Sequence, residues 1–260
     1  MSQIKPYPRT CRQFTDGSYA DNGKWQYLLN TGFAQDPQHY VRAFLLLQQD
    51  MQELFSFVEP ADQNLNTYSH RIQQLLTRCC IEVEANLTAI LLENGYSKAP
   101  NDLNMRDYRT IEYSHKLSEY EVRIPGWSGN RSIRTPFSSW GSTPQGSLAW
   151  YQAYNKAKHD RHSNFKIATL EALTDAMCGL AALLSAQFWK EDYLPVDKGL
   201  SISSNYSYDT NDGLENGIGE FFRIKFPTSW SNSEQYDFDW GVLSQTSNPF
   251  DQFNHAQFYV

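Results

Sequence analysis

The side chains best suited to chemistry lie in one stretch, Tyr151-Gln-Ala-Tyr-Asn155-Lys-Ala-Lys158-His159-Asp160-Arg161-His162. Asn155 and His159 are four residues apart, so in a helix they share a face one turn from each other, with Tyr151 a further turn back. The stretch ends a helical pattern. There the negative end of the helix dipole favours the cations Lys158, His159 and Arg161, and it would raise the pKa of His159. A histidine poised near neutrality beside Lys and Arg suits general acid–base work on a phosphodiester. His159 would move the proton, Asn155 would orient it or the phosphate, and Lys158 and Arg161 would neutralise transition-state charge. Tyr151 and Tyr154 complete the expected phosphate- or RNA-contacting set. Ordinary capping of a helix C-terminus produces the same pattern, so a purely structural turn is the competing reading.

Other candidates carry less. His70-Arg71 would approach the same pocket or form a surface pair, and Arg78 and Glu82 fall four apart, where they can pair on one helix face. His115 and His162 have no ligand-spaced partners, and HxxxH, HExxH and paired CxxC patterns are absent, so no metal or other cofactor is expected. Gly213-Leu-Glu-Asn-Gly217-Ile-Gly219 lacks the Lys-Ser/Thr of a P-loop and reads as a hairpin turn. Ser, His and Asp are too dispersed for a triad, and no GxSxG occurs. The four cysteines, Cys11, Cys79, Cys80 and Cys178, read as reduced thiols, Cys178 in the core.

The elements that must position the 151–162 segment are helical. Asp36 and Pro37 open a helix carrying Tyr40, Phe44, Leu47, Met51 and Leu54, which stops before Pro60. A longer one runs from about Gln63 to Asn94, with Leu65, Tyr68, Ile72, Leu76, Cys79, Val83, Leu87 and Ile90 on one stripe and Gly95 as its cap. Asn104 or Asp107 opens a third, and Tyr120 to Ile124 alternates like a strand. The Gly/Ser/Pro-rich stretch after it embeds Trp127, Phe137 and Trp140, which predicts a loop pinned to the body. Helical spacing returns from Ser147 to His159, and Ser163 or Asn164 caps a last helix to Trp189. Ala176 to Ala186 is apolar on nearly all sides, which predicts burial between helices or in a homodimer interface. After Pro195 the period changes to two, at Ser201–Tyr208, Glu220–Phe226 and Gln235–Trp240.

Charge is uneven along the chain. Residues 105–166 hold ten Lys/Arg against five Asp/Glu, whereas residues 196–260 hold three against nine. A basic middle beside an acidic tail fits an anionic ligand such as RNA, or simply a solvated surface. There is no run of about 18 apolar residues, and the opening MSQIKPYPRTCRQF has no apolar stretch behind its charges, so a cytoplasmic protein without a membrane span is expected.

The long helix with Glu82 in its middle, the Asn155-Lys-Ala-Lys-His159 turn and the apolar helix after it resemble the HEPN superfamily. Its members are up-and-down helical bundles that often dimerise, and many are metal-independent ribonucleases of toxin–antitoxin, abortive-infection and RNA-processing systems. Their motif is an Arg, often a following polar residue, and a His four to six residues after the Arg. Asn155 matches the polar position and His159 the histidine, while Tyr154 occupies the arginine position, so that Lys158 or Arg161 would supply the cation. The resemblance covers about residues 64–190. It implies either an endoribonuclease or a non-catalytic module binding nucleotide, RNA or a cognate protein partner. The fold expected is mainly α, an up-and-down bundle over 36–192 with an irregular arm at 1–35 and an acidic, aromatic, strand-rich appendage at 193–260.

Overall fold

The computed structural model describes residues 5–142, 146–193 and 212–259, and it is mainly helical, with nine α-helices and four short strands among the described residues. Helix α1 (Pro37–Phe55) begins on Pro37, but Asp36 sits at φ 47 and makes no side-chain cap. Helix α2 (His70–Glu93) begins later than its apolar stripe predicts, because Ser69 caps it by accepting from Ile72 N at 3.2 Å. The residues before it, Asp62–Asn64, form a separate 3-10 turn. A capping box between Asn104 and Asp107 opens α3 (Met105–Arg109), and α4 (Glu112–His115) follows. Strands β1 (Glu121–Arg123) and β2 (Ile133–Arg134), then α5 (Ser138–Ser142), fold the pinned stretch onto the body, with Trp127, Phe137 and Trp140 buried. Helix α6 (Ala149–His159) ends at Asp160, whose side chain caps the single turn α7 (Arg161–Asn164). The last long helix, α8 (Leu170–Phe188), is therefore opened by Thr169 and not by Ser163 or Asn164. Strands β3 (Glu215–Asn216) and β4 (Arg223–Lys225) and helix α9 (Trp240–Leu243) lie in the tail.

Helix α8 is the centre of the core, with 17 of its 19 residues buried. It packs along α2, with α6 and α1 beside it and the sheet against another side. Gly179 permits the approach of α6, since a Cβ there would lie 3.3 Å from the Trp150 ring. The apolar surface of α8 is thus covered within one chain, and the homodimer expected from it loses that ground.

The sheet joins the tail to the middle of the chain. Its order is β2-β1-β4-β3, all antiparallel, so the tail strand β4 pairs with β1 from the middle of the chain. Val122 opposes Ile224 in that register, both fully buried. Lys225 pairs with Glu121 across the strands at 2.6 Å, and the Asp212 carboxylate receives both Arg123 and Arg223. Gly213–Gly219 supplies β3 and the start of the hairpin turn that leads to β4, with Gly217 N donating to Phe222 O at 2.8 Å. Gln235–Trp240 is not a strand: Tyr236 makes one parallel bridge to Phe14, and Trp240 opens α9. Ser201–Tyr208 lies outside the described residues.

The N-terminal arm is threaded into the interior. Arg9, fully buried at φ 53, donates to Glu93 Oε1 (2.6 Å), Gln187 Oε1 (3.1 Å) and Gln35 O (2.7 Å). Cys11 N donates to Ala186 O at 2.9 Å, joining the arm to the end of α8. All four cysteines are free and buried, and burial pushes the Cys11 thiol up to about 12.

Beneath the arm, Ser114 Oγ lies 2.6 Å from His115 Nδ1 and 2.9 Å from His255 Nε2, and His115 Nε2 is 2.8 Å from Arg9 O. A carbonyl only accepts, so His115 carries a proton on Nε2, while Ser114 Oγ also donates to Ile111 O at 3.0 Å. Burial holds His115 down to about 4 and His255 down to about 3. Both folded values lie below the ordinary 6.5, so the unfolded chain binds more protons between them and stability falls as pH drops. The loss is roughly 1.4 kcal/mol per pH unit for each histidine within that window. Urea midpoints at pH 7, 5.5 and 4.5 should fall more steeply for wild type than for His255→Gln, which keeps a donor toward Ser114 but cannot be protonated. Parallel pH dependence would contradict this.

Candidate functional site

Five of the six expected residues are carried by α6, which packs on α2, and the sixth, Arg161, opens α7. The Tyr151 hydroxyl donates to Glu84 Oε1 at 2.8 Å, and Thr88 Oγ1 and the Tyr108 hydroxyl of α3 are 2.8 Å apart. Tyr151 and Tyr154 are 7% and 1% exposed, their rings 5.5 Å apart. Burial, then Glu84, raises the Tyr151 hydroxyl, and burial raises Tyr154 against the opposing effect of Lys158. The two tyrosines expected to meet a ligand are therefore interior anchors that fix the helix from beneath.

Above them the polar face is open. Asn155 is half-buried and His159 exposed, on the same face of an unbroken helix. Among the described residues, neither side chain makes a hydrogen bond to another group. Lys158 leans back over Tyr154, Nζ 5.2 Å from the ring centroid, and its contact with Tyr154 raises its pKa, with Glu84 adding to the effect. At Asp160 the chain bends. Its carboxylate accepts from Ser163 N at 3.1 Å, which lowers its pKa and starts α7 with Arg161 facing solvent.

Residues 156–166 hold four Lys/Arg and two His against one acid. Lys156, Lys158, Arg161 and Lys166 are all exposed, and among the described residues none is paired with a carboxylate. His70 reaches this region from the start of α2, its ring 4.5 Å from that of Phe165, which packs on Tyr68 as well. Arg71 turns away to Glu53 at 3.0 Å, and Arg78 pairs with Asp50 of α1, so the pair expected between Arg78 and Glu82 does not form. Glu82 faces the α1 side, half-buried, its carboxyl raised by burial against His39 and Arg78.

Glu84, not Glu82, is the carboxylate of α2 that touches α6. The signal for it is its spacing, since Glu84 and Thr88 stand four apart and place two polar groups on one face of the helix. A cavity of about 420 Å³ lies at the opposite end of α6, lined by Leu148 and Gln152 among others, and one of about 340 Å³ lies by Asp50, Arg71 and Arg78. Neither is lined by any of the six expected residues. No group of three or more His, Cys, Asp or Glu among the described residues could hold a metal ion, and no described helix is long and apolar enough to cross a membrane.

The arrangement is a rigid, tyrosine-anchored platform that presents unpaired cations and an open histidine to solvent. It suits contact with an extended polyanion better than enclosure of a small substrate. No family model matches this sequence, and no significant match is found among curated proteins or solved structures.

The anchor and the open face should separate in stability measurements. Tyr151→Phe leaves Glu84 without its partner and should cost about 1–2 kcal/mol in urea unfolding. Asn155→Ala and His159→Ala should stay within about 0.5 kcal/mol of wild type. The reverse order would make the polar turn structural.

Proposed function

We propose that this chain is a HEPN-like helical module that binds RNA through the basic end of α6 and the turn that follows it. The observation that carries this reading is the set of four exposed Lys/Arg side chains between Lys156 and Lys166, none paired with a carboxylate among the described residues, two on α6, whose underside is locked to α2 through Tyr151 and Glu84, and two in the turns that follow it. Such a surface contacts phosphates as a set, and each neutralised phosphate releases counterions. The bend at Asp160 gives the cations two directions, Lys156 and Lys158 on α6 and Arg161 on α7. Single-stranded RNA, whose backbone can follow such a bend, is the natural ligand.

A second reading uses the same residues. Asn155 and His159 are one turn apart and face solvent beside Lys158, within reach of any phosphodiester lying on the surface. His159 would then act as the acid–base group of a metal-independent endoribonuclease, with Asn155 orienting the phosphate. Binding is favoured over cleavage because the arginine position of the motif holds Tyr154, which is buried and donates no charge.

Fluorescence anisotropy with a labelled single-stranded RNA across a salt series tests both. Four phosphate contacts give a log Kd against log salt slope of roughly 3 in magnitude, and Lys158→Ala and Arg161→Ala should each reduce it by about 0.7. A salt-independent or absent interaction, or one that both variants leave intact, would remove the proposal. In EDTA, loss of at least about 100-fold in RNA cleavage on His159→Ala would establish the enzymatic reading, whereas intact RNA throughout leaves binding alone.

A further inference from the structure

The cavity at the start of α6 combines two cations with a row of aromatic rings. Arg106 and Arg109 stand three apart on α3, both lining it. Arg109 is held in place by donating to Trp140 O at 3.0 Å, and Arg106 is exposed, with no ion pair among the described residues. The acids nearest in sequence do not cancel them. Asp107 is fully buried and occupied by Lys98 (2.7 Å), Tyr96 (2.9 Å) and the Asn104 amide (2.8 Å). Glu112 accepts from Ser118 N and Oγ at 2.9 and 2.6 Å, while standing close enough to Arg109 to feel its charge.

On the same cavity wall Tyr113 stacks on Phe258 with centroids 4.0 Å apart and planes 7° apart, and Phe258 continues to Phe253 at 5.8 Å and 15°. Three rings thus lie nearly parallel, and the outermost, Tyr113, is 48% exposed. A stack ending in a half-exposed ring accepts one more flat ring, and guanidinium groups with no ion pair in the same cavity accept an anionic group attached to it. Gln152, one turn into α6, adds an amide that both donates and accepts. The volume, about 420 Å³, falls in the range of small-ligand sites, about 300–1,000 Å³.

We propose that this cavity is a nucleotide site, with the base stacked on the Tyr113–Phe258 rings, the phosphate held by Arg106 and Arg109, and Gln152 beside the base or sugar. The ligand chemistry is that of a base bearing a phosphate, whether a free mononucleotide or the terminal nucleotide of a strand. Gln152 and His159 are separated by seven residues of one helix, roughly 10 Å, so a strand end seated here can run on to the basic turn. The site does not depend on that surface and stands if the surface binds nothing.

Isothermal titration with AMP, adenosine, inorganic phosphate and an eight-residue oligoadenylate tests this on the full chain. AMP should bind at least about tenfold more tightly than adenosine or phosphate alone, and Arg106→Ala and Tyr113→Ala should each weaken it about tenfold, with Tyr113→Phe within threefold of wild type. The Arg106 side chain is exposed and makes no hydrogen bond or ion pair among the described residues, so its variant tests binding with the fold intact. Lys158→Ala should leave AMP binding unchanged, which separates failure here from failure of the RNA-binding surface. Oligoadenylate affinity that needs both Arg106 and Lys158 would identify a strand end, and AMP affinity exceeding that of oligoadenylate a free mononucleotide. Neither ligand binding at millimolar concentration, or binding that Arg106→Ala and Tyr113→Ala leave within about threefold, would overturn the proposal.

Discussion

The fold depends on one buried cation. Arg9 has no exposed surface, and an uncompensated guanidinium there would be prohibitive. Its donors reach the end of α2 through Glu93, the end of α8 through Gln187, and the approach to α1 through Gln35 O. The Tyr40 ring lies 4.3 Å and the Phe188 ring 5.6 Å from its guanidinium carbon. Glu93 uses its second oxygen to accept from Gln35 N at 3.0 Å, so one ion pair fixes three helix ends and the entry of the arm. From Gln187 the network continues inward to Asn86 at 3.0 Å, and from Arg9 O to His115 and Ser114.

That network sets where the functional surface can stand. With the ends of α2 and α8 tied together, α8 is enclosed by α2, α6, α1 and the sheet, and the outer face of α6 is open to solvent. Across the α2–α6 contact Glu84 accepts from the Tyr151 hydroxyl, and the pair sets the rotation of α6 that leaves His159 and Lys158 exposed. The tail is drawn into the same construction, since β4 pairs with β1, Phe14 bridges Tyr236, and His255 closes on Ser114.

What the sequence discloses follows from which interactions are local. Helices α1, α2, α6 and α8 are legible because their apolar spacing and caps are written within a few residues, and Gly213–Gly219 is legible as a hairpin for the same reason. Helix α2 starts later than its apolar stripe because Leu65 and Tyr68 extend that stripe outside the helix, while Ser69 supplies the cap. The partners of Arg9, Arg78 and Tyr151 are distant in sequence, 84, 28 and 67 residues away, and no periodicity reports them. The same holds for the tail: two-residue alternation signals a strand but not its neighbour, so β4 reads as part of an appendage when its partner is β1. At the candidate site, helical spacing correctly puts Asn155 and His159 on one face, yet it cannot say that Tyr151 and Tyr154 on adjoining positions point inward.

The most direct test of this account is equilibrium urea unfolding of Arg9→Met, followed by both far-ultraviolet circular dichroism and tryptophan fluorescence. Removing one partner of a buried, hydrogen-bonded ion pair costs about 3–5 kcal/mol. If Arg9 joins arm, helices and tail into one cooperative unit, the variant should lose stability of that order in a single transition on which the two signals coincide. Stability within about 0.5 kcal/mol of wild type, or helical signal persisting after the fluorescence transition, would contradict it and return the arm and tail to the status of appendages on an independent bundle.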